Sequence, residues 1–234
     1  MKETNLMKIG ILQAGHAPDA LIERTGDYGA LFENFLGGLG FDFDVYNVVD
    51  MEFPDSADDA SGWLITGSKH GCYDNLPFIT PLEDLVRDIW CKTLPLVGVC
   101  FGHQIIAQAL GGKVEKFRNG WSVGLTEYNF EGKTVLLNAW HQDQITCLPN
   151  KATVLGSNEF CKNAFLSYGD KIFTLQAHPE FDNIFLKGLI ELRGPGVVPS
   201  KLLDQARSTL EQGNENSVIK RKIANLFKYS KVHL

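Results

Sequence analysis

Two rhythms of apolar positions run along this chain. In the first half, short unbroken apolar runs alternate with stretches where apolar residues return every three or four positions. Unbroken runs suit strands buried on both faces, and a return near 3.6 suits helices with one buried stripe. The pattern predicts strands at 8–12, 43–48, 62–66 and 95–99, with helices at about 27–38, 79–92 and 102–110. Strand and helix alternating in this order build a parallel sheet whose chemistry collects beyond the carboxyl ends of the strands. From about 113 to 177 the rhythm changes to glycine-punctuated strands (123–129, 133–138, 152–157, 172–176), which predicts an added antiparallel layer. Leu186 to Leu192 and Leu202 to Phe227 then read as closing helices, kept apart by Gly194-Pro195-Gly196 and Pro199.

Composition narrows the partners. The 234 residues are 44% hydrophobic with 15 Phe, enough to bury a sizeable core as one domain spanning 1–234. A formal charge of -6 without a basic run argues against nucleic acid or an anionic membrane surface, since both draw affinity from Lys/Arg clusters. The five cysteines, Cys72, Cys91, Cys100, Cys147 and Cys161, lack CxxC spacing, so neither a disulfide framework nor a cysteine metal site is expected. Met1-Lys-Glu-Thr-Asn5 leads into an apolar run too short for a signal-peptide core, and the expected location is a reducing cytoplasm. His16, His70, His103 and His233 fall in no zinc-like spacing, and no GxGxxG or P-loop is present, so neither a metal nor a nucleotide or other cofactor is expected.

One segment carries chemistry. In Leu94-Pro-Leu-Val-Gly-Val-Cys100-Phe-Gly-His-Gln104 a buried strand ends at Cys100, and Ile105, Ile106, Ala109 and Leu110 continue at helical spacing. Gly98 and Gly102 flank the cysteine by two residues each, as a tight strand-to-helix turn requires. Such a nucleophile elbow presents the sulfur at a helix N-terminus, where unpaired amides favour an anion. The amide of Phe101, the residue after the nucleophile, is then an oxyanion donor. A base is needed within hydrogen-bond reach, and a third group to orient it. His178 follows the apolar strand Lys171–Leu175 and precedes a proline. Glu180, two residues on in extended chain, returns its carboxylate to the same face.

Gly98-Val-Cys100-Phe-Gly-His-Gln104 together with His178-Pro-Glu180 resembles the class I, or triad, glutamine amidotransferases, and the likeness spans most of the chain. It implies an α/β, flavodoxin-like fold: a mixed, mostly parallel sheet flanked by helices, with a smaller antiparallel sheet. It also implies Cys100 as nucleophile, His178 as base and acid, and Glu180 as orienter. Leu64-Ile-Thr-Gly67-Ser68 resembles the family's Gly-Gly-Pro turn, with Ser68 and Lys69 replacing its last two residues, and implies Gly67 or Ser68 as the second oxyanion amide. Trp140-His-Gln-Asp143 resembles the family's His-x-Asp loop. Gln104, His141 and Asp143 would help hold the substrate's α-amino and α-carboxylate groups, with Asp143 on the ammonium and amides near Ser122 and Val123 on the carboxylate. His70 and Tyr73 would line the mouth.

By resemblance the reaction is attack of Cys100 on the glutamine side-chain amide, with ammonia leaving and water cleaving the glutamyl thioester. Too little chain follows Glu180 for a synthetase domain, so an ammonia acceptor would belong to a partner protein. The alternative is a free-standing hydrolase of γ-glutamyl peptides or conjugates. A third, non-catalytic alternative is a thiol sensor or binding module.

Overall fold

The computed structural model describes residues 6–229, so Met1–Asn5 and His233 lie outside the described residues. Nine strands form one sheet. Its parallel half runs β2 (Phe41–Tyr46), β1 (Met7–Leu12), β3 (Gly62–Ile65), β4 (Leu96–Val99) and β11 (Ile172–Leu175). The antiparallel half continues with β10 (Phe165–Tyr168), β9 (Ala152–Ser157), β6 (Ser122–Phe130) and β7 (Lys133–His141). A separate two-stranded antiparallel sheet pairs β5 (Lys113–Lys116) with β8 (Asp143–Cys147).

The central strands are apolar throughout because helices cover both their faces. Leu64, Val97, Val99, Phe173 and Leu175 point into one core with Phe32, Ile223 and Phe227 of α2 (Tyr28–Leu36) and α7 (Asn216–Tyr229). Trp63, Ile65 and Leu96 point into the other, with Val86 and Ile106 of α3 (Ile79–Cys91) and α4 (Phe101–Ala109). Trp63 is fully buried and donates its indole N–H to the Ala57 carbonyl at 2.9 Å. Truncating it to alanine removes a ring and leaves a cavity worth about 3–5 kcal/mol. A third cluster joins α1 (Asp19–Thr25), α5 (Asn183–Leu192) and α6 (Ser200–Ser208) around Phe181 and Trp140.

The structure corrects four expectations. The antiparallel strands do not stack as a layer; all but β5 and β8 extend the main sheet. The stretch 202–227 is two helices, because Glu215 between them is drawn to the open edge of β7. Its N–H donates to the Leu136 carbonyl at 2.8 Å, and its carboxylate accepts the Leu136 N–H. That caps an edge strand that would otherwise offer unpaired groups. The His-x-Asp segment is not a loop, since Gln142 alone separates β7 from β8. Lastly, α1 exists although its seven residues are too few to display a period.

Candidate functional site

The carboxyl ends of β4 and β11 lie side by side, with Leu175 opposite Val99 and the Cys100 N–H donating to the Leu175 carbonyl at 2.9 Å. Cys100 is the N-cap of α4 and adopts φ 53°, ψ -102°, a left-handed backbone that a side-chain-bearing residue rarely takes. The glycines around it allow this turn. A Cβ at Gly98 would come within 2.5 Å of the Gly102 carbonyl oxygen, and one at Gly102 within 2.3 Å of the Ile65 carbonyl oxygen. Helix and strands thus touch backbone to backbone. In the first turn of α4 the Phe101 amide has no acceptor within the helix, whereas the Gly102 N–H donates to the Thr66 carbonyl at 3.1 Å.

His178 and Glu180 follow β11 in extended chain. The His178 N–H donates to the Asn138 carbonyl of β7 at 2.8 Å, and the Asn138 side-chain amide donates to the Phe181 carbonyl at 3.1 Å, so the segment is clamped at both ends. His178 Nδ1 lies 2.7 Å from Glu180 Oε1, with both side chains almost wholly buried. A carboxylate accepts only, so Nδ1 carries the proton and Nε2 is left for the sulfur of Cys100. Burial pulls the imidazole pKa down, but the Glu180 carboxylate and the Cys100 sulfur outweigh it and raise the value to about 10. The ring stacks on Phe181 at 4.0 Å and 7°.

A cavity of about 570 Å³ opens over the sulfur, and Cys100, His178, Ser68, Gln104, His141 and Asp143 all line it. Gly67 lies beneath, where a Cβ would meet His178 Cε1 at 2.9 Å and Cys100 Cβ at 3.7 Å. Gln104 is already engaged: its Nε2 donates to the Asp143 carbonyl at 2.9 Å and to Gln176 Oε1 at 3.0 Å. That makes it a brace between α4 and β8. Asp143 Oδ2 accepts from the Tyr73 hydroxyl at 2.8 Å, and burial raises the carboxyl pKa despite that bond. His141 has its Nδ1 3.2 Å from the Asp143 carbonyl and a buried Nε2 without a partner; burial lowers its pKa to about 4, so it is neutral. Ser122 and Val123 pair with His141 and Trp140 across β6 and β7, and the neighbouring Trp121 reaches the cavity wall instead of them. His70 and Tyr73 are at the cavity wall.

Sequence reasoning missed Tyr28, Phe181 and Arg193, which also line the cavity. Arg193 follows α5 at a helix end, where a basic residue reads as an ordinary dipole partner, so no local signal marks it. Among the described residues no cluster of His, Cys, Asp and Glu could hold a metal, and no helix is long and apolar enough to cross a membrane.

A mixed sheet with a cysteine elbow at its centre, beside a histidine–glutamate pair at the next strand end, defines a class, and the family comparison agrees. The chain belongs to the glutamine amidotransferase class-I family, whose family model matches residues 39–184. Among relatives, γ-glutamyl peptidase 3 of Arabidopsis thaliana is 28% identical over 225 residues, covering 88% of this chain and 90% of that protein. The glutamine-hydrolysing GMP synthase of Petrotoga mobilis is 28% identical over 190 residues, covering 72% of this chain but 36% of the synthase. The fold matches a glutamine amidotransferase structure from Thermotoga maritima with a TM-score of 0.74 at 23% identity, over 98% of this chain and 100% of that one.

Proposed function

We propose that the chain hydrolyses γ-glutamyl amide bonds through a Cys100 thioester, with His178 as base and acid and Glu180 as its orienter. The observation that carries this reading is the buried His178–Glu180 pair at 2.7 Å beside a cysteine held at positive φ on a helix N-terminus. Cys100 Sγ attacks the γ-carbonyl carbon, and charge grows on the carbonyl oxygen. The amides of Phe101 and of Gly67 or Ser68 would receive that charge, each worth several kcal/mol, on the order of 3. The C–N bond breaks as His178 Nε2–H gives its proton to the departing amine. Water then gives a proton to Nε2 and attacks the thioester carbon. The C–S bond breaks, glutamate leaves, and the starting imidazolium and thiolate return.

Asp143 would face the ammonium of the glutamyl group, with Gln104 and His141 framing that end, and amides near Ser122 and Val123 would face its carboxylate. Glutamine is the smallest such substrate, with ammonia as leaving group. Two features favour a larger one. The cavity, about 570 Å³, falls in the range of sites for molecules larger than a free amino acid. The γ-glutamyl peptidase relatives align over nearly their whole length, whereas the synthase relatives carry about two thirds of their chain beyond the match. The second reading, release of ammonia to a separate synthetase, is favoured by the synthase likeness itself.

Glutamate release from glutamine and from a panel of γ-glutamyl dipeptides, with Cys100→Ala as control, tests the proposal. Cys100-dependent cleavage of dipeptides ahead of glutamine supports it. Cleavage of glutamine alone supports the synthetase reading, and cleavage that survives Cys100→Ala rejects the mechanism.

A further inference from the structure

Two groups of opposite charge line the cavity. The Asp143 carboxylate sits with Tyr73. The partly buried Arg193 guanidinium is held by neutral groups only: Nη1 donates to the Tyr28 hydroxyl and Nη2 to the His16 carbonyl, each at 3.1 Å. Of the acids around it, Asp27 and Asp50 pair with His16 and Glu180 with His178, and Asp74 on the cavity lining accepts the Gly71 N–H. Among the described residues Arg193 has no ion pair. A guanidinium carries five N–H donors, so donors remain, and a desolvated cation without a counter-ion is costly unless an anion joins it.

The position of Arg193 relative to the reaction is fixed by stacked rings. Tyr28 stacks on Phe181 at 6.3 Å and 21°, and Phe181 stacks on His178 at 4.0 Å and 7°. Arg193 therefore stands at the end of the wall that His178 begins. In the proposed mechanism His178 protonates the departing amine, so the leaving group departs on the side of this wall. We infer that Arg193 binds a carboxylate carried by the leaving group, which makes γ-glutamyl amino acids and peptides with a free carboxylate the preferred substrates over uncharged γ-glutamyl amides. Exposed Lys69 on the cavity lining, which with Arg193 acts on His70, favours the same sign of ligand. This assignment rests on the γ-glutamyl hydrolysis proposed above and makes Arg193 a specificity residue, outside the bond-breaking steps.

The test compares γ-glutamylglycine with γ-glutamylglycinamide, which differ only in that carboxylate, in the wild-type chain, Arg193→Met and Arg193→Lys, with thermal melts to confirm folding. The wild type is expected to favour the acid by roughly 10- to 100-fold in kcat/KM, as a charge-assisted pair warrants. Arg193→Met should lose that advantage through KM while cleaving the amide at the wild-type rate, and Arg193→Lys should restore part of it. Equal treatment of both substrates by the wild type, or equal losses on both in Arg193→Met, overturns the inference and leaves γ-glutamyl hydrolysis standing. Failure of the wild type to cleave either compound overturns the γ-glutamyl reading itself.

Discussion

His103 and His178 are both buried to within a few per cent, yet their imidazoles are driven in opposite directions. His103, on α4, meets neutral partners: Nε2–H donates to the Asn163 carbonyl at 2.9 Å, and Nδ1 faces the Thr174 hydroxyl at 2.7 Å. Burial dominates there and pulls its pKa down to about 3. His178 suffers the same burial, but Glu180 and Cys100 reverse it and hold the proton on to about 10. Depth in the protein therefore does not decide which histidine can do acid–base work. A charged partner within bonding distance does, and His178 finds both a carboxylate and a sulfur where the ends of β11 and β4 lie side by side.

The comparison breaks most severely if the sulfur is removed. Cys100→Ala keeps the Cβ and the backbone turn, so the melt should stay near wild type while turnover falls at least ~10⁴-fold. Measurable Cys100-independent hydrolysis would end the nucleophile assignment. Glu180→Gln makes the surroundings of His178 resemble those of His103, neutral on the Nδ1 side. The expected loss is roughly 10²-fold in kcat with KM little changed, because the ring remains but is less firmly held as an imidazolium. A loss as deep as that of Cys100→Ala would argue against a purely orienting role.

That difference was half legible in the sequence. Gly98 and Gly102 around Cys100, and a His-Pro-Glu at the end of an apolar strand, are local signals with a physical reason, and they lead to the elbow and the carboxylate. The fate of Asp143 was harder to read. Gln142 is a one-residue connection, so the polar run His141-Gln-Asp-Gln144 across the end of β7 and the start of β8 looks like a loop. The order of the antiparallel strands is carried by non-local pairings such as Asn138 with His178, which no window of sequence contains. Arg193 escaped for a similar reason, since its two acceptors, Tyr28 and the His16 carbonyl, come from the opposite end of the chain.

A pH profile sharpens the contrast. In the proposed mechanism His178 must carry a proton to release the amine, and its pKa is raised, so kcat/KM should hold through neutrality and fall as pH rises through about 10. The same sign applies to stability: the protonated pair contributes fully below the unfolded value of 6.5 and is lost as pH climbs through the folded one. In Glu180→Gln the alkaline limb should move down by at least about one pH unit. An unmoved limb would mean that another group supplies the proton.

The smallest effect is the converse one, at His103. Its folded pKa lies below 6.5, so its contribution is present above 6.5 and is lost as pH falls from there toward 3. Each pH unit in that window costs up to about 1.4 kcal/mol for one proton. His103→Leu fills similar space but strands the Asn163 carbonyl, which should cost about 1–3 kcal/mol at pH 7. The same variant should lose stability less steeply between pH 6.5 and 4, because the unfolded chain no longer gains that proton. His141, held down to about 4 by its own burial, supplies part of the slope that remains. Urea unfolding at pH 7 and pH 5 measures both quantities, and glutamate release per folded molecule should stay within about twofold, since His103 bonds only to Thr174 and Asn163. An unchanged acid slope would show that His103 already carries its proton in the native state, and the contrast with His178 would then have to rest on geometry alone.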